Sequence, residues 1–244
     1  MTKKPALVLL PNRLSKEIPA KDVLAPEVFE AVASIDGLIA EGAQNGRNYL
    51  LAFETKKRAH EMPIASLENK LTRSEIDFLL EPIIKNGERW GLVSDAGLPC
   101  IADPGHQIVR RAYQLNIPVE ACSGPSSLMT SLMLSGLPGQ HFTFNGYIPK
   151  APEERAAAIK KIEAKSHQEN STQIFIEAPY RNMHTLEAML ETLDDKTLIC
   201  VASDLYTAKQ YVKTLSVYSW RKQEKPDINK KPATFLIYSP QAKK

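Results

Sequence analysis

Two short segments of this chain concentrate residues suited to chemistry. The first is Ser94-Asp95-Ala96-Gly97-Leu98-Pro99-Cys100-Ile101-Ala102-Asp103-Pro104-Gly105. It follows the apolar run Trp90-Gly91-Leu92-Val93 and precedes a helical stretch from Gly105 to Leu115. Small residues at such a junction let backbone N–H and C=O groups approach a ligand closely. Strand-to-helix loops are also where α/β folds bind ligands. Asp95 and Asp103 either meet polar groups of a ligand or anchor the turn, Asp103 serving as cap to the helix at Pro104-Gly105. The second segment, Ser123-Gly124-Pro125-Ser126-Ser127, lies between a strand over Ile117–Cys122 and a helix over Ser126–Leu134. Ser126 and Ser127 bring hydroxyl and N–H groups to a helix N-terminus, which suits polar or anionic ligand atoms and equally suits plain capping. Two such loops, roughly 25–30 residues apart, favour one shared cleft.

Several other chemistries find no support. Neither GxxxxGK[ST] nor GxGxxG occurs, so no phosphate-cradling glycine loop is expected. The five histidines (His60, His106, His141, His167, His184) are scattered without metal-ligand spacing, and no metal site is expected. The three cysteines (Cys100, Cys122, Cys200) include no CxxC and read as reduced thiols of a cytoplasmic protein. No local motif suggests a Ser-His-Asp or Cys-His nucleophile.

The elements that must position these loops follow from apolar patterning. Ala6–Leu10 and Gly37–Ala40 read as short buried strands, each ended by a turn signal (Pro11-Asn12 and Glu41-Gly42). A helix begins at Pro26, and a second is expected from Ser66 to Ile84, disturbed near its end by Pro82. Further on, strands are expected at Phe142–Ile148, Ile174–Ile176, Leu198–Ala202 and Thr234–Tyr238, with helices at Pro152–Lys165 and Arg181–Leu193. Repeated strand, turn and helix predict an α/β fold with largely parallel strands. The chain is expected to divide into two α/β domains, 1–117 and 118–244, through a linker at Ile117-Pro118.

Composition bounds the class without choosing a partner. With 43% hydrophobic and 24% charged residues, the 244-residue chain is globular rather than disordered. No apolar run reaches the ~18 residues a membrane span needs, and Ala6–Leu10 is too short for a secretory signal. The expectation is therefore a cytoplasmic protein with no membrane partner. The net charge of +3 is unevenly placed: Arg221 to Lys244 holds seven basic residues against two acidic ones. That +5 tail is either a solvated terminus or a phosphate-facing patch.

Ser94-Asp95-Ala96-Gly97-Leu98-Pro99 through Asp103-Pro104-Gly105 resembles the SDAGTPLISDPG signature of the rRNA small subunit methyltransferase I group, within the tetrapyrrole methylase superfamily. The resemblance continues in order. Ser123-Gly124-Pro125-Ser126-Ser127 is similar to PGPSA, Ser135-Gly136-Leu137-Pro138 to SGLP, Asn145-Gly146-Tyr147-Ile148-Pro149 to GFLP, and Glu177-Ala178-Pro179-Tyr180-Arg181 to ESPHR. The resemblance implies a dimeric S-adenosylmethionine-dependent methyltransferase of two α/β domains, its cofactor S-adenosyl-L-methionine folded into the cleft between them. Carried over position by position, it implies that Ala96, Gly97, Leu98, Pro99 and Ile101 form one wall of the cofactor site and Ser126 and Ser127 a second. Ile176, Ala202 and Ala233 are further cofactor candidates on shorter aligned segments.

Three segments depart from the family pattern: Leu9-Leu10-Pro11-Asn12-Arg13 lacks the glycine of a Pro-Ile-Gly-Asn loop, Ala40-Glu41-Gly42-Ala43-Gln44 keeps only Glu41 of an AEDTR-like stretch, and Ser203-Asp204-Leu205-Tyr206 lacks a basic residue. These departures bear on the substrate side more than on the cofactor.

Methyl transfer from a sulfonium is an in-line displacement, so much of its catalysis can come from positioning. A ribose hydroxyl also benefits from a well-placed proton acceptor. Glu41, Asp95 and Glu177 are the carboxylates at motif positions, each with a rival role as cap, turn anchor or ion-pair partner. Arg181 either holds a phosphate or pairs with Glu177. The leading reading is methylation of a ribose 2′-hydroxyl of small-subunit ribosomal RNA, with the tail, Arg155, Lys160 and Lys161 on the backbone and Tyr147 or Phe144 stacking on a base. The rival readings are a methyltransferase of the same superfamily acting on a tetrapyrrole, another small molecule or a protein side chain, and a catalytically silent binding protein.

Overall fold

The computed structural model describes residues 4–67 and 71–241, which form two compact units, Met1–Ser126 and Ser127–Lys244. The first unit runs β1 (Ala6–Leu10), α1 (Ala20–Val23), α2 (Pro26–Ser34), β2 (Gly37–Ala40), α3 (Ala43–Leu50), β3 (Ile64–Ser66), α4 (Arg73–Asn86), β4 (Arg89–Val93), α5 (Gly105–Gln114) and β5 (Val119–Ala121). Its five strands lie in the order β3-β2-β4-β1-β5, and every neighbouring pair is parallel. A parallel sheet is buried on both faces, so its strands must be apolar throughout. Alternate residues divide between two cores. Ala6, Val8 and Leu10 pack with Val28, Val32, Tyr49 and Leu50 of α2 and α3. Leu7 and Leu92 pack on the other face with Ile76, Leu80, Ile83 and Ile108 of α4 and α5.

The second unit runs α6 (Ser127–Ser135), β6 (Phe142–Tyr147), α7 (Pro152–Glu169), β7 (Thr172–Ile176), a 3-10 turn (Pro179–Arg181), α8 (Asn182–Thr192), β8 (Leu198–Ser203), β9 (Tyr211–Ser216), α9 (Val217–Arg221) and β10 (Ala233–Tyr238). The strand order is β6-β7-β10-β8-β9. Phe175, Val201 and Phe235 face the core under α7, α8 and α9, where the rings of Phe175 and Phe235 stack 5.4 Å apart. Ile174, Cys200 and Leu236 face α6.

The α/β class agrees with the sequence reading, and four details are corrected. First, the helix expected from Ser66 starts at Arg73. Thr72 and Glu75 form a reciprocal capping box there, while Ile64–Ser66 pairs with β2 as an edge strand. Residues 68–70 of that expected helix lie outside the described residues. The helix continues past Pro82 to a left-handed Gly87, a helix stop that needs no Cβ. Second, the second sheet is mixed: only β6 and β7 are parallel, and the other three pairs are antiparallel. Third, the division between units falls after Ser126 rather than at 117/118, because β5 pairs with β1 in the first sheet. Fourth, two of the basic groups expected on an RNA surface are tied up within the fold. Arg155 is buried and donates to the carbonyls of Pro149 and Lys150. Arg221 pairs with Asp195 and donates to the Leu190 and Leu193 carbonyls. Lys243 and Lys244 of the tail lie outside the described residues. No helix among the described residues is long and apolar enough to cross a membrane.

Candidate functional site

All strands of the first sheet run the same way, so the loops leaving β1, β2, β4 and β5 emerge at one carboxyl edge, the ligand edge of open α/β sheets. Here they are bonded to one another. The N–H of Asn12 donates to the Gly97 carbonyl at 2.8 Å, and the N–H of Gly97 returns a bond to the Asn12 carbonyl at 3.1 Å. The Asn12 side-chain amide donates to the carbonyls of Ser94 (3.1 Å) and Asp95 (3.0 Å). The loop after β2 joins through Glu41, whose Oε1 accepts the Asp95 N–H at 2.9 Å. The loop after β5 meets the β1 loop where Gly124 packs on Pro11, and its Ser123 N–H donates to Glu27 of α2 at 2.9 Å.

Glycine is required at two points of this ledge. Gly97 has φ +73°, a conformation costly for L side chains, and an added Cβ would lie 3.2 Å from Leu14 Cδ2 and 3.5 Å from the Pro125 carbonyl oxygen. Gly124 packs directly on Pro11, so a Cβ there would stand 2.1 Å from that ring. Pro11 is itself held by the buried Tyr49 hydroxyl, which donates to its carbonyl at 3.2 Å. Desolvation is the main cause that pushes the Tyr49 phenol well above its ordinary pKa, so it stays a neutral donor.

The sequence candidates of the β4 loop thus share one edge with the Ser123–Ser126 loop. Asp95, Ala96 and Ile101 are exposed, Gly97 and Pro99 buried, and Leu98 half-buried. Ile101 presents 48% of its surface, an apolar side chain open beside the ledge. Ser126 directly precedes α6, whose first residue is Ser127. Asp103 takes the turn-anchoring role: Oδ1 accepts the Gly105 N–H at 2.7 Å, and burial raises its carboxyl pKa. In the second unit, Ile176, Ala202 and Ala233 come together at one end of the sheet. Thr234 pairs with both Ile176 and Ala202, and Ala233 with Ser203.

The three carboxylates separate by environment. Glu41 is half-buried at the ledge, and desolvation, followed by the charges of Asp95 and Asp103, raises its pKa despite the lowering bond from the Asp95 N–H. Asp95 is exposed at the same edge. Glu177 has a fully buried side chain, and its Oε1 accepts from Arg181 Nε at 2.8 Å, from Arg181 Nη2 and from the Ala178 N–H at 2.7 Å. Arg181 is therefore the partner of Glu177. Among the described residues no group of three His, Cys, Asp or Glu side chains could hold a metal ion. Sequence reading missed Asn45 of α3, whose Nδ2 lies 2.9 Å from both carboxylate oxygens of Asp95. It treated Asn12 only as a departure from the family loop. The signal for both was weak, because their partners lie 50 and more than 80 residues away.

Comparison with known proteins gives the family and the fold. The family of Tetrapyrrole (Corrin/Porphyrin) Methylases matches residues 19–219. A relative from Thermotoga maritima, the ribosomal RNA small subunit methyltransferase I, is 30% identical over 168 residues, 69% of this chain and 71% of the relative. The protein of the same name from Xylella fastidiosa is 31% identical over 217 residues, 88% of this chain and 75% of the relative. Among solved structures, the methyltransferase CobJ aligns with a TM-score of 0.64 at 15% identity, covering 96% of this chain and 93% of that one, which is agreement of fold.

Proposed function

The chain belongs to the tetrapyrrole methylase family and is an S-adenosylmethionine-dependent methyltransferase; from that premise we propose that it methylates a ribose 2′-hydroxyl of small-subunit ribosomal RNA. The relatives from Thermotoga maritima and Xylella fastidiosa, which carry ribosomal RNA in their names, support the substrate. The observation that carries the cofactor site is the reciprocal Asn12–Gly97 bond pair with Gly97 at φ +73°. It holds the Ala96–Ile101 backbone as a ledge at the carboxyl edge of a parallel sheet. The residues present fit the group: the exposed, small Ala96 leaves room for its polar end, and the open Ile101 side chain suits an aromatic base.

S-adenosylmethionine, when bound, supplies a methyl group on a sulfonium. What the chain contributes is orientation and proton handling. In the first unit, Ala96, Gly97, Leu98, Pro99, Ile101 and Ser126 hold the cofactor; Ser127, Ile176, Ala202 and Ala233 are the candidates of the second unit. Glu41 receives the acceptor proton. Its raised pKa makes it a stronger base than an ordinary carboxylate. The exposed Lys160, Lys161, Lys225 and Lys230 are available for phosphate contacts.

We propose further that the enzyme works as a homodimer in the cytoplasm, where its ribosomal substrate resides. Support for the dimer comes from α6, where Met133 and Leu134 are 81% and 48% exposed.

The deciding experiment incubates the purified protein with methyl-labelled S-adenosylmethionine and small ribosomal subunits from a strain lacking it, then maps the label. A single 2′-O-methyl nucleotide is expected. Cofactor binding without incorporation into the subunits would refute the RNA substrate. No cofactor binding at millimolar concentration would refute the site as well.

A further inference from the structure

Asp95 is an exposed loop residue, yet each of its polar groups is held by a side chain from a different segment. Its N–H donates to Glu41 of the β2 loop at 2.9 Å, and its carbonyl accepts from Asn12 of the β1 loop at 3.0 Å. Its carboxylate accepts from Asn45 of α3, whose Nδ2 is 2.9 Å from both Oδ1 and Oδ2. The first two bonds suffice to fix the turn. The third restrains only the side chain's rotation, which a turn does not need.

The helix carrying Asn45 is itself immobilised. Gly46 packs against Ala40 so closely that an added Cβ would stand 2.9 Å from the Ala40 Cβ, and Tyr49, one turn beyond Asn45, bonds the Pro11 carbonyl. Asn45 is also a neutral donor, so it orients the carboxylate without cancelling its charge. Groups held by fixed second partners are pre-organised for a ligand.

We propose that Asn45 is a positioning residue: it holds the Asp95 carboxylate so that it accepts a hydrogen bond from the cofactor's ammonium or ribose hydroxyls. Asp95 adjoins the Ala96-Gly97 ledge in sequence. A carboxylate there attracts a molecule bearing sulfonium and ammonium charges and repels RNA phosphates, which favours the cofactor over the acceptor. The inference rests on the cofactor site proposed above.

Calorimetric titration of the full chain with S-adenosylmethionine tests it. Asn45→Ala and Asp95→Ala should each weaken binding about three- to tenfold, the size of a charge-assisted bond at an open site. The double variant should bind no more weakly than Asp95→Ala alone, because Asn45 acts only through Asp95. Asn45→Asp, of nearly the same shape, serves where the alanine variant fails to fold. It places two carboxylates within hydrogen-bond distance, where both cannot ionise, so its affinity should depend on pH between about 4 and 7 more steeply than the parent's. Unchanged affinity in Asn45→Ala, fully additive losses in the double variant, or a pH profile in Asn45→Asp no steeper than the parent's would each overturn the inference while leaving the cofactor site standing. Absence of binding by the unmodified protein would overturn both.

Discussion

Gly97→Ala puts the ledge to its most direct test. Gly97 sits at φ +73°, and an L residue in the left-handed region costs about 1–2 kcal/mol. The new Cβ would lie 3.2 Å from Leu14 Cδ2, so the half-buried Leu14 side chain must yield by a few tenths of an ångström. A loss of about 1–2 kcal/mol is small against a domain stability of about 5–15 kcal/mol, so the variant should fold. Its melting temperature should fall by roughly 2–8 °C. Relief of the strain also shifts the backbone that pairs with Asn12 and faces the ligand. Cofactor affinity should therefore fall at least about tenfold, or ~1.4 kcal/mol. Gly136→Ala is the control. Gly136 has φ +69° but nothing within 4 Å of an added Cβ, so it carries the same strain without the crowding and lies outside the ledge. Thermal melting and calorimetric titration of both variants separate the effects: both should melt earlier, and only Gly97→Ala should lose cofactor. Equal melting shifts with unchanged affinity in Gly97→Ala would refute the assignment of Gly97.

Three further outcomes are expected. Gly124→Ala drives a Cβ to 2.1 Å from Pro11, and overpacking of that kind should cost about 1–3 kcal/mol in urea denaturation and weaken the cofactor site; a neutral variant would show that the β1 and β5 loops separate freely. Arg181→Met leaves the buried Glu177 carboxylate without its cation and should cost about 3–5 kcal/mol, whereas Glu177→Leu combined with Arg181→Met should cost less than Arg181→Met alone; a double variant as unstable as the sum would contradict the pairing. Glu41 has a folded pKa above its unfolded value of 4.5, so the folded state binds the extra proton and stability declines as pH rises from 4.5 through the raised value. Glu41→Gln removes that dependence. Its melting temperature relative to the parent should accordingly be higher at pH 7 than at pH 4, and a difference that does not change with pH would refute the burial of a charged Glu41.

Much of the fold is legible in local patterning. Ala6–Leu10, Gly37–Ala40 and Trp90–Val93 are short apolar runs between turn residues, and strands buried on both faces have no other way to be written. The helix α3 was illegible for a complementary reason. Its Ala43-Gln44-Asn45-Gly46-Arg47-Asn48-Tyr49-Leu50 stretch carries an internal glycine and two asparagines, poor helix formers, and few apolar residues to mark a face. The glycine is there because Gly46 must approach Ala40 and Ile64, a requirement that only packing reveals. Strand β9 was likewise missed. With it went the β8–β9 hairpin, while the antiparallel placing of β10 between β7 and β8 was hidden because strand direction depends on which distant segments pair.

The candidate site divides along the same line. The sequence alone determined that the Ser94–Gly105 and Ser123–Ser127 loops are strand-to-helix junctions rich in small residues, because junction chemistry is local: turns need glycine, helix starts need caps, and backbone exposure needs small side chains. Only the tertiary structure decided how the ledge is held and which carboxylates stand beside it. Asn12 reaches Gly97 and Asn45 reaches Asp95 because a parallel sheet gathers the ends of β1, β2, β4 and β5 at one edge, across separations of 50 to 85 residues. Glu177 is withdrawn from the chemistry by the same kind of fact. Its side chain is fully buried against Arg181, and burial is a property of the packed chain, not of the motif in which the residue is written.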